Sequence, residues 1–362
     1  MNYILSMLSY ILKRIVLMIP TLLGIITLNF FIIQFVPGGP VDQMVAKLQN
    51  LNQNETISGP QSDTILQGSS KNTSNYTIPD EVLDEIKKMY GFDKPWYQRY
   101  AQLVFQYMQF DLGESFYRHI KVVDLIIEKM PVSASLGIWT TLIMYLVAIP
   151  LGIKKAVRRG ARFDVWSSTV LIVCNAIPTF LVAMFLMILF CGGDFFAWFP
   201  MRGLTSDHFD SMSMIGKIMD YIWHLVLPIS SLVIGSFAGI TFLTQNAFLE
   251  EIHQQYVLTA KSKGLTEAVI LYHHIFRNAM LVIIAMFPAA FIFMFFSGAL
   301  LIEIIFSLDG IGLMGYQSII QRDYPVVLGS LYVFSLLALF ARLLGDIAYA
   351  FVDKRINFEG QR

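Results

Sequence analysis

Six apolar runs, at 15–36, 134–153, 167–191, 225–248, 280–306 and 327–351, dominate the chain. A helix needs about 20 apolar residues to cross a hydrocarbon core, and each run is long enough. The pattern predicts an all-α membrane protein with six transmembrane helices. The first run exceeds the apolar core of a signal peptide and lacks a small-residue cleavage site before Pro37-Gly-Gly-Pro40, so it reads as a retained anchor.

The stretch 37–133 between the first two runs is a large external segment. Within it, 50–77 is rich in Asn, Gln, Ser and Thr and reads as a flexible insert. Its three Asn-x-Ser/Thr triplets, at Asn54, Asn72 and Asn75, are the chance matches such a composition produces. Pro79, followed by Asp80, Glu81, Asp84 and Glu85, opens a helix to about Tyr90. Residues 97–108 form an amphipathic, aromatic-rich helix suited to a membrane surface. The chain therefore divides into 1–36 (N-terminus and first helix), 37–133 (external), 134–351 (five-helix core) and 352–362 (C-terminus).

Charge sets the orientation. Lys13 and Arg14 precede the first run, and Lys154, Lys155, Arg158, Arg159 and Arg162 separate the second from the third. Lys261, Lys263 and Arg277 lie between the fourth and fifth, and Lys354 and Arg355 follow the sixth. The other side has only Arg202, Lys217 and Arg322 in its shorter loops. The excess of Lys and Arg marks the cytoplasmic loops, so both termini are cytoplasmic. Of 362 residues, 56% are hydrophobic and 14% charged. A soluble domain carries roughly 25% charged residues. The zero formal net charge gives nucleic acid no purchase.

Catalytic chemistry is sparse. There is no Gly-x-x-x-x-Gly-Lys-Ser/Thr phosphate loop, so the chain does not hydrolyse ATP by that route. Gly235-Ser-Phe-Ala-Gly239 is one residue short of a nucleophile elbow and sits inside an apolar run, where packing explains it. Adjacent His273 and His274 point to different helix faces and cannot share a metal. Cys174 and Cys191 share one run; a continuous helix would hold them about 25 Å apart, too far for a disulfide. Arg342 and Asp346, four apart, can pair on one helix face. Glu303 reads as an interfacial acid at the outer end of the fifth run. Pro20, Pro150, Pro178, Pro228 and Pro288 lie in or beside spans, where they open kinks or simply pack.

The polar segment 250–279 between the fourth and fifth runs is the strongest candidate site. Residues 256–263 favour helix and present Tyr256, Thr259, Ala260 and Lys263 at helical spacing. Gly264 can take a left-handed conformation and end that helix, and a second helix, 266–278, returns to the membrane. Spacing alone fits a helix resting on lipid headgroups as well as one gripped by a partner.

Tyr256-Val-Leu-Thr-Ala-Lys-Ser-Lys-Gly264, followed by Arg277-Asn278-Ala279, resembles the cytoplasmic coupling motif of ABC importer permeases, and specifically the dipeptide/oligopeptide family. Ile19-Pro-Thr-Leu-Leu-Gly24, Phe35-Val-Pro-Gly-Gly-Pro40, Tyr90-Gly-Phe-Asp-Lys-Pro95 and Phe110-Asp-Leu-Gly-Glu-Ser115 agree with it. So do Glu303-Ile-Ile-Phe-Ser-Leu-Asp-Gly-Ile-Gly312, Arg322-Asp-Tyr-Pro325 and Asp353-Lys-Arg-Ile356. The resemblance covers nearly the whole chain except 50–77. That insert, Pro40-Val-Asp-Gln43 and the ending Asn357-Phe-Glu-Gly360 look most like the microcin C/oligopeptide subtype. Two positions depart from the pattern: the family's Glu-Ala-Ala reads Leu258-Thr-Ala260, and Lys354 replaces a Pro.

The resemblance implies a type I ABC importer permease fold in a bacterial inner membrane. It implies a second permease of related fold, two ATPase subunits that bind ATP and Mg, an external peptide-binding protein and a peptide substrate. Tyr256, Thr259, Ala260, Lys263 and Gly264 would couple to an ATPase, with Ala260 and Gly264 central to docking. An ion-coupled secondary transporter is the alternative. It would need a mid-membrane carboxylate, for which only Asp346 is available, and inverted repeats, which are not evident.

Overall fold

The computed structural model describes residues 2–35, 94–192, 195–296 and 300–352. The expected insert at 50–77, the helix opened by Pro79 and the C-terminal stretch from Asp353 lie outside the described residues. The helices are α1 Asn2–Phe35, α2 Trp96–Met108, α3 Val122–Val157, α4 Arg162–Ala176, α5 Thr179–Cys191 and α6 Met214–Ile252. They continue with α7 Gln255–Ser262, α8 Phe276–Phe296, α9 Leu300–Ile305, α10 Ile311–Gln321 and α11 Tyr324–Val352. The chain forms two compact units, residues 20–113 and residues 1–19 with 114–362.

In the smaller unit, α2 is the amphipathic helix expected at 97–108. Tyr100 fixes it: its hydroxyl lies 2.7 Å from Thr27 Oγ1, and its ring meets Phe30 edge-on at 5.4 Å. Trp96, Tyr97, Phe105 and Met108 remain exposed.

In the larger unit, Val122–Val157, Met214–Ile252, Glu267–Pro288 and Tyr324–Ile347 are each long and apolar enough to cross a membrane, as is Ser9–Ile32 of α1. The third expected span is different. It is two helices, α4 and α5, bent by 93°. At about 1.5 Å per residue, neither half reaches across a core about 30 Å thick. Pro178 removes a helical N–H and pushes the residue before it out of the α region; Ile177 is extended, at φ −86° and ψ 122°. Thr179, the first residue of α5, seats against Gly235 of α6, where a Cβ would lie 2.5 Å from the Thr179 hydroxyl. The near-elbow glycine is thus a packing seat. The straight-helix spacing of Cys174 and Cys191 does not hold, since the break separates them; both are free thiols.

Helices α3 and α6 form the most extensive pair. They meet closely at Gly152, where a Cβ would come within 2.6 Å of Thr244 Cβ and 2.7 Å of the Thr241 carbonyl. Thr241 and Thr244 donate their hydroxyls back to Phe237 and Ile240 carbonyls, both at 2.8 Å, so both fully buried threonines are satisfied within their own helix. Small residues at such crossings let backbones approach without a polar penalty.

Two polar knots explain motifs that the sequence left as patterns. Glu303 is wholly buried, not interfacial. Its carboxylate accepts from Ser133 Oγ at 3.0 Å and from the Leu313 amide at 2.7 Å. It therefore caps the start of α10, where unpaired amides favour an anion. A Cβ at Gly310 would collide with that carboxylate, which accounts for the Glu303…Gly310-Ile-Gly312 spacing. Asp323 accepts from Ser115 Oγ at 2.5 Å and from the Phe116 amide at 3.2 Å, joining Ser115 and Phe116 to the stretch Arg322–Pro325. The expected Arg342–Asp346 pair is absent. Arg342 is exposed, while Asp346 faces α1 and pairs with Arg14 at 3.1 Å.

Candidate functional site

The polar segment 250–279 folds as a helix, a glycine turn and a returning helix. Helix α6 ends at Ile252, and Gln254, extended at ψ 149°, starts α7 in a new direction. Helix α7 ends in a Schellman turn. The Gly264 amide donates to the Lys261 carbonyl at 2.9 Å, and the Leu265 amide to the Ala260 carbonyl at 3.4 Å. Gly264 has φ +79° and open space where a Cβ would go.

A side chain at Gly264 therefore meets no clash but does meet backbone strain. Gly264→Ala is expected to destabilise the protein by about 1–2 kcal/mol, and Gly264→Asn by less, since Asn tolerates this region. Midpoints of thermal unfolding in detergent measure it; an alanine variant equal to wild type contradicts the turn geometry.

The expected site residues do not share one face. Val257 and Ala260 are buried and join Ala156, Ala247, Phe248, Ile270, Ile275 and Ala279 in one apolar cluster. Ala260 thus faces the protein's own helices, which corrects its expected place on a docking face; its small size lets α7 sit close. Thr259, Lys261, Lys263 and Gly264 are exposed, as is Leu258. Tyr256 is half-buried and donates its hydroxyl to Glu251 Oε2 at 2.5 Å. Burial, then that bond, pushes the phenol up to about 12. It stays protonated throughout the physiological range and keeps donating. The Asn278 side chain bonds the same phenol, so Glu251, Tyr256 and Asn278 link α6, α7 and α8.

The return is not a plain α-helix. After one turn at Glu267–Val269, Ile270–Ile275 is a π-helix that runs into α8. Residues five apart on an α-helix diverge by about 140°; the i→i+5 bonding of the wider coil brings Ile270 and Ile275 onto the same apolar cluster. His273 and His274 are left exposed. They line a polar notch of about 630 Å³ with Glu251, Gln254, Tyr256, Arg277 and Asn278.

Sequence reasoning missed the group that anchors this end of the bundle. Lys155, counted among the loop cations, is fully buried. Its Nζ donates to Asp164 Oδ1 at 2.8 Å, the Asp164 carbonyl at 3.0 Å, Ser167 Oγ at 3.1 Å and Ser168 Oγ at 2.6 Å. Gln245 of α6 donates to the same Asp164 oxygen at 3.0 Å. One ion pair thereby ties α3, α4 and α6 together, next to Ala156 and Ala247 of the cluster beneath α7. An Asp nine residues from a Lys across a Gly turn was its only sequence signal.

The described residues thus combine helices long and apolar enough to cross a membrane with an ordered polar helix between two of them. The chain belongs to the family described as "Binding-protein-dependent transport system inner membrane component", which matches residues 148–358. It is thus a permease of the ABC transporter class. It is 50% identical over 358 residues to the "Peptidoglycan transport system permease protein YejB" of Agrobacterium fabrum (strain C58 / ATCC 33970), covering 97% of this chain and 98% of that one. It is 29% identical over 354 residues to the "Oligopeptide transport system permease protein AppB" of Bacillus subtilis (strain 168), covering 97% of this chain and 100% of that one. Among solved structures, an inward-facing form of the MetNI methionine ABC transporter shares the fold, with a TM-score of 0.50 and 16% identity over 64% of this chain and 97% of that one.

Proposed function

We propose that this permease forms half of the pathway of an ATP-driven peptide importer and is moved by a separate ATPase through α7. The observation that carries this reading is the seating of α7. Val257 and Ala260 fix it to the permease core, while Leu258, Thr259, Lys261 and Lys263 face outward. A rigid polar helix bonded to both neighbouring spans through Glu251 and Asn278 passes an external push to α6 and α8 together. ATP-driven closure of the ATPases would then switch the spans between inward-open and outward-open states, which requires a bistable bundle.

The complete transporter has a second permease of related fold, two ATPase subunits and an external binding protein. ATP and Mg sit on the ATPases, since this chain has no phosphate loop. The cation bias of the loops puts both termini and α7 in the cytoplasm. The cargo is peptidic. The family resemblance supports this, as do relatives named for oligopeptide and peptidoglycan transport; the insert and chain ending favour the microcin C/oligopeptide subtype. Ion-coupled transport is the weaker reading, because Asp346, the carboxylate it would use, is engaged by Arg14.

Co-expression and affinity purification in detergent test the assembly. Two ATPase subunits and a second permease are expected to elute with this chain. Elution of this chain alone or as a homo-oligomer, with ion-gradient-driven uptake in ATP-depleted vesicles, would favour the alternative.

A further inference from the structure

The last span holds a cation that the permease does not neutralise. With Asp346 taken by Arg14 at 3.1 Å, Arg342 is exposed and makes no ion pair or hydrogen bond among the described residues. It lies inside the apolar run 327–351, about 13 Å short of its C-terminal end at the helical rise. Its place around α11 decides what it faces. Leu331 and Ser335 lie within about 20° of it, and Leu331 is exposed with it. Both flanks of the helix are covered: Ser330 is buried on one side with Gly345, which seats against Pro288 of α8, and Tyr332 and Leu343 are buried on the other. Phe340 and Leu344, also exposed, lie about 160° from Arg342, on the opposite face. Helix α11 is thus a wall with two open faces. The apolar one suits lipid. The other carries an unpaired guanidinium, and a charge inside a span faces the bundle interior or a water-filled cavity.

We propose that Arg342 lines the cytoplasmic half of the translocation pathway and receives the C-terminal carboxylate of the passing peptide. The inference rests on the reading of this chain as half of a peptide importer and adds the chemistry by which the cargo is held. A linear peptide carries one α-carboxylate whatever its sequence, so a single cation serves peptides of varied side chains. The guanidinium fork can take that carboxylate bidentately. Ser335 lies about 10 Å further along the same face. Its hydroxyl donates to the Leu331 carbonyl at 2.7 Å and keeps lone pairs that can accept from a peptide N–H. An ion pair open to water is weak, which suits a cargo that must be released as well as held.

Equilibrium dialysis tests this on the permease pair with its ATPase subunits in detergent, without the binding protein, using tritiated trialanine and its C-terminal amide. Wild type is expected to hold the free acid about 10-fold more tightly than the amide. Arg342→Gln should lose that preference while binding the amide as wild type does, and Arg342→Lys should keep part of it. Wild type holding acid and amide alike, or holding neither, overturns the proposal, as does an Arg342→Gln variant that keeps the preference. Loss of the second permease from Arg342→Gln on purification also overturns it, by assigning the arginine to the contact between the permeases. Placement is read separately: Arg342→Cys, in a chain carrying Cys174→Ala and Cys191→Ala, should react with a membrane-impermeant thiol reagent in proteoliposomes. An unreactive thiol would overturn the proposal by assigning this face to lipid. Peptide uptake by wild type that ignores ATP would instead overturn the importer reading itself.

Discussion

Lys155→Met is expected to destabilise the permease by about 3–5 kcal/mol, the usual effect of removing one partner from a buried ion pair. Asp164 would be left with Gln245 and the Gly160 amide as its remaining donors, and Ser167 and Ser168 would lose the ammonium. Unfolding midpoints in detergent measure the loss. The double variant Lys155→Met with Asp164→Leu should recover a large part of it, because apolar replacement of a whole buried pair is often close to neutral. If the single variant matches wild type, the pair is not the anchor the geometry describes. The structure adds a functional expectation. The pair joins α3 and α4 to α6 beside the apolar cluster under α7, so loosening it should slow transport even where the protein remains folded.

Nothing adjacent to Lys155 in the sequence marks it as buried. Its neighbours Lys154, Arg158 and Arg159 are cations at the end of α3 and just beyond it, and a count of charge between two apolar runs cannot tell which of them turns inward. Only its partners reveal it, and Gln245 lies 90 positions away. Distance in sequence also hid Asp346, whose partner Arg14 is on the first helix rather than four residues away at Arg342. Glu303 looked interfacial because it ends an apolar run, yet the fold places the start of α10 over it.

The spans themselves were legible, because hydrophobic length is a local property. The exception was 167–191. Pro150, Pro228 and Pro288 sit inside continuous helices, so a proline in an apolar run does not by itself announce a break. At Pro178 the break is held by Thr179 seated against Gly235 of another helix, a contact with no sequence signature. In the coupling segment, helical spacing and Gly264 located α7 and its end. The direction in which Ala260 faces depended on which side packs against α3 and α6, and that only the fold supplies.

The orientation of Ala260 yields the second large effect. Ala260→Arg would force a guanidinium into the cluster of Val257, Phe248 and Ile270, where only 6% of the alanine surface is exposed. A buried unpaired charge is not tolerated, so α7 must lift from its seat. Membrane insertion and span packing should survive, since the lesion lies in a polar segment outside the spans. What should fail is the connection between the ATPase and the bundle.

ATP-driven peptide uptake into proteoliposomes tests this most directly, with the complete transporter reconstituted, its binding protein outside and ATP supplied to the cytoplasmic face. Wild type is expected to accumulate peptide only with ATP. Ala260→Arg should fall to background while its ATPase subunits still hydrolyse ATP or dissociate. Undiminished ATP-driven uptake by Ala260→Arg, or wild-type uptake indifferent to ATP, would contradict the account of α7 as the element through which the ATPase moves this permease.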